Sequence, residues 1–289
     1  MIRMSIIIPT YNRPDSIKRT VNSILDHDTQ NYYEIIVVND SPEHPIESFF
    51  DKKVTVINNG ENIGRSKARN KGADMAKGDI LFFVDDDIEM KDNLFDIFVE
   101  LMDQEFDAVF ANVINVRSDG AKSCLNKFLN TRGANQKGFE ENFKSNYFTS
   151  AYCGIKKEFF NNIGKFDENF KGYGWEDPEL GMRIEKNGGK IKFYKTDLLL
   201  HYHNKDLDQW VSQLENSGTN FKYIINKYPE NKDRFNYDFL TSWKAGFCFN
   251  PLSFAIAKMK AKLFGGVMNF IMFKYLFAGA IYRSLKKLK

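Results

Sequence analysis

Cysteine is scarce in this chain. Cys124, Cys153 and Cys248 are odd in number and none stands in a Cys-x-x-Cys pair. That excludes a disulfide framework and a cysteine zinc site, and it suits a reducing compartment. No Gly-rich phosphate loop stands near the first strand pattern, which argues against a nucleotidyltransferase. No internal repeat is present, and the N-terminus enters a strand pattern at once, without a signal-peptide layout. Acid is missing from the last stretch: Trp243 to Lys289 carries nine Lys/Arg and no Asp or Glu. The rest therefore holds 32 of the 41 basic residues against all 38 acidic ones, a net of −6. A mildly acidic body and a strongly basic tail are two different pieces.

What is abundant is aromatic. The 27 Phe and 13 Tyr suit a surface for flat rings or membrane, though a Phe-rich core explains them at less cost. A length of 289 residues allows one large domain, or a domain plus an appendage. A hydrophobic content of 43% and a charged content of 27% are ordinary for a globular protein.

The most informative feature is Asp85-Asp86-Asp87, directly after the apolar run Ile80-Leu81-Phe82-Phe83-Val84. Such a run reads as a buried strand. Three like charges at its end are costly to desolvate unless a cation neutralises them, and oxygen ligands favour Mg²⁺ or Mn²⁺. A solvated acidic turn is the plainer alternative. Other strand patterns cover Met4 to Ile8, stopped by Pro9, then Glu34 to Val38, Val54 to Ile57 and Phe106 to Ala111. Helical spacing covers Asp15 to Leu25 and Ser66 to Ala76. The alternation predicts an α/β fold with a mostly parallel sheet, whose ligands bind at the carboxyl ends of the strands. Four such ends carry polar or acidic loops: Thr10 to Arg13, Asp40, Asn58 to Arg65, and Asp85 to Asp87. Ser118 to Tyr147 is polar and weakly patterned, and reads as a mobile or partner-ordered loop region.

Five segments, in order, resemble the metal-dependent GT-A glycosyltransferases, in particular the inverting family 2. They are Ser5 to Arg13, Glu34 to Asp40, Asn62 to Asn70, Phe83 to Asp87 and Gly172 to Arg183. The last contains Trp175-Glu176-Asp177 and looks like the acceptor motif of galactosyltransferase- and chondroitin-polymerase-like members. The resemblance implies a GT-A fold, Rossmann-like, over residues 1–240. Residues 1–116 would bind the nucleotide sugar, and 148–210 would hold the acceptor and catalytic half. It places the nucleotide at Pro9, Thr10, Tyr11 and Arg13, where Tyr11 offers a ring for stacking, and at Asp40, which could accept a hydrogen bond from uracil. Asn62, Gly64, Arg65, Lys67 and Arg69 would face the diphosphate, for which Arg suits bidentate contact. The plainer readings are a turn residue for Asp40 and a solvated helix face for Lys67.

By the same resemblance Asp85 contacts ribose or sugar and Asp87 binds the metal. The extra Asp86 leaves the register open. Asp177 is the implied general base, Glu176 orients the acceptor and Trp175 stacks on its ring. Asp-Pro-Glu is also a good helix N-terminus, and both roles are compatible. His201 is taken as a further metal ligand in preference to His203, on the expectation that two residues so spaced face opposite ways.

The tail, 243–289, holds two candidate helices, Phe254 to Phe264 and Val267 to Leu288. A membrane span needs ~20 apolar residues. Gly265 to Tyr282 is marginal in length and carries Lys274 near its centre. A basic amphipathic extension on an anionic membrane surface through 252–289 fits better, ahead of an oligomer contact and of nucleic acid. The expected protein is cytoplasmic, at the inner face of the cell membrane, moving a sugar from a nucleotide-linked donor, UDP ahead of dTDP, to a hydroxyl of a surface glycan, lipid-linked oligosaccharide or capsule-type polymer. The rival is an inactive nucleotide-sugar-binding assembly subunit.

Overall fold

The computed structural model describes residues 3–27, 32–46, 54–120, 123–140, 143–263 and 267–288. Residues 264–266 and Lys289 of the expected tail, and 121–122 and 141–142 of the expected loop region, lie outside them. The chain divides into two compact units, the first comprising Met1–Val116, Arg132–Asn169 and Glu176–His203.

The first unit is built on a seven-stranded sheet. Its strands are β1 (Met4–Thr10), β2 (Tyr32–Asn39), β3 (Val54–Asn58), β4 (Ile80–Val84), β6 (Ala108–Ala111), β8 (Tyr152–Lys156) and β9 (Ile191–Tyr194). A second sheet of three strands joins β5 (Ile88–Met90), β7 (Ile114–Val116) and β10 (Leu199–Tyr202). The main sheet runs β3-β2-β1-β4-β8-β6-β9, with β8 antiparallel to both neighbours and the other pairs parallel. Helices α1 (Pro14–Leu25), α2 (Arg65–Met75), α3 (Phe95–Gln104), α5 (Lys157–Asn162) and α6 (Glu176–Lys186) accompany it, with α4 (Cys124–Leu129) in the other unit.

Because β3, β2, β1 and β4 are adjacent and parallel, their carboxyl ends fall along one edge. That is why four loops distant in sequence meet. β1 does not stop at Pro9 but continues to Thr10, paired with β2. Its ladder to β4 ends at Ile7, so the N–H that Pro9 lacks is not missed there. Many of the Phe residues are core: Phe82 packs with Phe95, Phe98 and Tyr152 on one side, and Phe83 with Phe160 and Phe166 on the other.

The second unit comprises Arg117–Thr131, Phe170–Trp175 and Asn204–Lys289. It contains α4, α7 (Leu207–Asn216), α8 (Gly218–Lys227), α9 (Tyr237–Thr241), α10 (Trp243–Cys248), α11 (Pro251–Leu263) and α12 (Val267–Lys287). α7 opens with a capping box between Asp206 and Gln209. Leu125 and Phe128 of α4 are buried against Trp210, Leu214, Phe254, Phe273 and Leu276, so part of the expected loop region is ordered by packing within the chain. Among the described residues no helix is long and apolar enough to cross a membrane.

Candidate active site

At the end of β4 the three Asp side chains go to different partners. Asp86 is buried and accepts from the Thr10 hydroxyl (2.6 Å) and Arg13 Nη1 (3.1 Å). Thr20 donates to its main-chain carbonyl at 2.9 Å. Burial, and then the charge of Asp87, push the Asp86 carboxyl above its ordinary range. Asp87, also buried, takes Arg13 Nη1 on one oxygen (2.6 Å) and lies 3.1 Å from His201 Nε2 with the other. It is thus Asp87, not Asp86, that faces the imidazole.

His201 Nδ1 lies 3.1 Å from Asn115 Oδ1. In the Nδ1–H tautomer that proton would go to the amide oxygen, and Nε2 would present its lone pair beside the Asp87 carboxylate, the pairing that a shared cation needs. An oxygen and an imidazole donor side by side suit Mn²⁺, and the Asn115 amide behind the ring holds it in place. Among the described residues no three His, Cys, Asp or Glu side chains form a ready-made cation cage. A metal that keeps waters and takes substrate phosphates does not need one. The residues present therefore fit a divalent ion. The expectation that His201 and His203 face opposite ways is incorrect, because residues two apart on a strand share a face. Their rings are 5.2 Å apart.

The donor-side loops are held by Asp40. Its carboxylate is buried and accepts from Asn59 Nδ2 and Ile63 N–H (2.9 Å each) on one oxygen and from Gly64 N–H (2.8 Å) on the other. Gly64 sits at φ +85°, a conformation that glycine adopts without strain, and it caps α2. Asn62 also accepts from the Gly64 N–H, at 3.1 Å. Tyr11 is exposed after Pro9 and Thr10, and the Asn12 N–H bonds to the Ser41 hydroxyl.

On α2, Arg65 is largely exposed and donates to Glu176 Oε1 (3.2 Å), while Lys67 is half-buried. Arg69 is fully buried. Its Nη2 bonds Asp85 Oδ1 at 2.7 Å, and its Nη1 lies 3.5 Å from Glu176 and 3.8 Å from Asp177. Burial alone would lower its pKa, but the charges of Asp85, Asp177 and Glu176 outweigh that and raise it. Arg69 therefore faces carboxylates in the interior, not the surface expected of a diphosphate contact.

Glu176 and Asp177 form the first turn of α6, where the helix dipole favours negative charge. Ser150 donates to Asp177 Oδ1 at 2.5 Å, and Thr149 lies 3.5 Å from the other oxygen. Burial, and then the Glu176 charge, push the Asp177 carboxyl up to about 6, against the opposing pull of Arg69 and Ser150. Gly181 lets α6 approach closely: a Cβ there would stand 2.1 Å from the Ser145 carbonyl and 2.4 Å from Phe148 Cβ. Trp175 has φ +78°, rare for a bulky residue. Its Nε1 donates to Ser217 (3.2 Å) and its ring packs on Phe221 and Phe235. Ser150, Thr149, Asn115 and Thr20 were not legible beforehand, since a small polar residue has no spacing signature.

The family model "Glycosyl transferase family 2" matches residues 5–164, and "N-terminal domain of galactosyltransferase" matches 133–205. An uncharacterized glycosyltransferase of Haemophilus influenzae is 38% identical over 86 residues, 29% of each chain. Polypeptide N-acetylgalactosaminyltransferase 11 of Xenopus tropicalis is 25% identical over 70% of this chain and 38% of its own. Glycosyltransferase GlyG of Streptococcus pneumoniae is 26% identical over 68% of this chain and 70% of its own. The matched parts of the first two relatives are thus well under half of their lengths. A crystal structure of GalNAc-T7 with UDP, GalNAc and Mn²⁺ has the same fold, with TM-score 0.54 and 20% identity over 75% of this chain and 47% of that one. With the family model matched across more than half of its length, on the strands and loops that carry Asp40, Asp85, Asp86 and Asp87, the chain belongs to glycosyl transferase family 2.

Proposed function

We propose that this chain transfers a sugar from a UDP-linked donor to a hydroxyl of a surface glycan, lipid-linked oligosaccharide or capsule-type polymer, with inversion at the anomeric carbon. One observation carries the reading. The buried guanidinium of Arg69 bonds Asp85 on the donor side and lies 3.8 Å from Asp177 on the other. Two carboxylates of opposite assigned roles therefore flank one side chain, close enough for a single sugar to meet both.

In this reading Thr10, Tyr11, Arg13, Asp40 and the loop through Asn62 and Gly64 receive the nucleotide. Asp40 holds the loop's amides while keeping acceptor capacity on one oxygen. Asp85 orients the sugar, and Arg65, the less buried arginine of the two, is the α2 group assigned to the diphosphate, with Lys67 beside it. Asp87 and His201 would hold the divalent metal, which supplies charge compensation to the departing diphosphate. The acceptor oxygen attacks the anomeric carbon as its proton passes to an oxygen of Asp177. The C–O bond to the diphosphate breaks, and its electron pair leaves with the nucleotide. Burial keeps Asp177 basic enough to accept that proton, and Ser150 keeps it aimed. Glu176 and, on the resemblance of its segment, Trp175 are assigned to the acceptor. The named solved neighbour with UDP and Mn²⁺ supports this choice of donor and ion, and the basic tail supports work at the cytoplasmic face of a membrane.

The test is thermal stabilisation by UDP-, GDP- and dTDP-sugars, with Mn²⁺ or EDTA, repeated on Asp87→Ala. The expected result is a Mn²⁺-dependent shift with UDP-sugars that the variant loses. No shift with any nucleotide sinks the donor-site assignment, and binding without turnover on any acceptor points to an assembly subunit instead.

A further inference from the structure

The longest helix of the tail, α12, buries Phe273, Leu276, Ala280, Ile281 and Leu285, the first three in the core of its own unit, and among its described residues leaves Ile271 and Phe277 exposed. α11 instead has two apolar faces. Phe254, Ala257 and Ala261 are buried, while Leu252, Ile256, Met259 and Leu263 follow helical spacing along the opposite side and are exposed. On neighbouring α10, Trp243 and Phe247, one turn apart, are 78% and 79% exposed. Scattered exposed apolar residues are ordinary, but a continuous row of four on one helix, with two open aromatic rings on the helix preceding it in the chain, is not.

Charge decides what covers this face. Residues 243–289 hold nine basic and no acidic side chains, and Lys244 and Lys260 are exposed on α10 and α11. From α7, Asp208 pairs with Lys258 and Lys262, and Glu215 with Arg283 and Lys287, so two acids answer four cations and a positive surplus remains. Two copies of so basic a segment repel each other, whereas an anionic bilayer attracts it and accepts apolar side chains at its boundary. Trp at a membrane–water interface is favoured for the same amphipathic reason. We infer that α10 and the outer face of α11 form an interfacial docking surface for an anionic phospholipid bilayer, with Trp243, Phe247, Leu252, Ile256, Met259 and Leu263 entering the headgroup boundary. This deepens the membrane part of the reading above and is independent of the transfer chemistry.

The experiment is co-sedimentation of the full chain with phosphatidylcholine vesicles, with and without about a third phosphatidylglycerol. The double variants Ile256→Glu/Leu263→Glu and Trp243→Ser/Phe247→Ser are compared with Met75→Glu, which alters an exposed apolar residue of the other unit. Light scattering and Tm are recorded for each. Binding to the anionic vesicles only, weakened at least tenfold in both double variants at unchanged Tm and retained in Met75→Glu, is the expected result. The inference is overturned by wild-type binding in the double variants, or by equal loss in Met75→Glu. It is equally overturned by a lipid-free dimer that the double variants dissolve, which would make a second copy the occupant. Donor-induced stabilisation, read in parallel, separates failure here from failure of the transferase assignment.

Discussion

The acidic triplet after β4 and the Glu176-Asp177 pair opening α6 each combine buried carboxylates (Asp86, Asp87, Glu176) with half-buried ones (Asp85, Asp177), and they are neutralised in different ways. Asp87 is engaged by cationic or cation-ready partners, Arg13 on one oxygen and His201 beside the other. Asp177 has a neutral hydroxyl at 2.5 Å and a guanidinium no nearer than 3.8 Å. In the first arrangement a guanidinium and an imidazole flank one carboxylate, the surroundings expected of the proposed cation site. The second leaves a carboxylate whose proton affinity is raised by burial, the property a general base needs. Residue type is the same at both places; the partner decides the role.

Three experiments break or sharpen that contrast. The largest effects are expected from Asp87→Asn and Asp177→Asn, each lowering transfer by about 10²–10⁴-fold. Only the first should abolish the Mn²⁺-dependent donor stabilisation; if Asp177→Asn abolishes it and Asp87→Asn does not, the roles are reversed. Arg69→Met strips the buried counter-charge from Glu176 and Asp85 and should cost about 3–5 kcal/mol of stability by chemical denaturation. A cost within experimental error would mean that Arg69 does not join the two groups. The smallest effect is on pH dependence. A base must be deprotonated to accept a proton, so transfer should fall as pH drops through about 6, where Asp177 titrates. The Ser150 hydroxyl favours the charged form, so Ser150→Ala should raise that pKa and move the acid limb up by about one unit or less. An unmoved limb would show that Ser150 does not hold the base.

Much of the fold was legible because strand and helix periods are local. The run Ile80 to Val84 forms β4 with those bounds, and Asp15 to Leu25 differs from α1 by one residue. β1 ran past Pro9 because the neighbouring ladder ends first, which no local pattern records. In the candidate site, the acidic clusters were visible as composition, yet Arg69 could not be told from Arg65. Both stand on one helix, and only packing buries the first under Phe166 while leaving the second open.

By itself the sequence determined the alternating elements, the strand-end carboxylates, the family and the basic tail, because each depends on residue type and short spacing. Tertiary structure alone decided that the second unit gathers 117–131 and 170–175 with 204–289. It also decided that Asp87 and not Asp86 meets His201, that Ser150 serves Asp177, and that α11 shows a continuous apolar row along one face. Those outcomes depend on which surfaces distant segments cover, and burial is a property of the folded chain, not of any window along it.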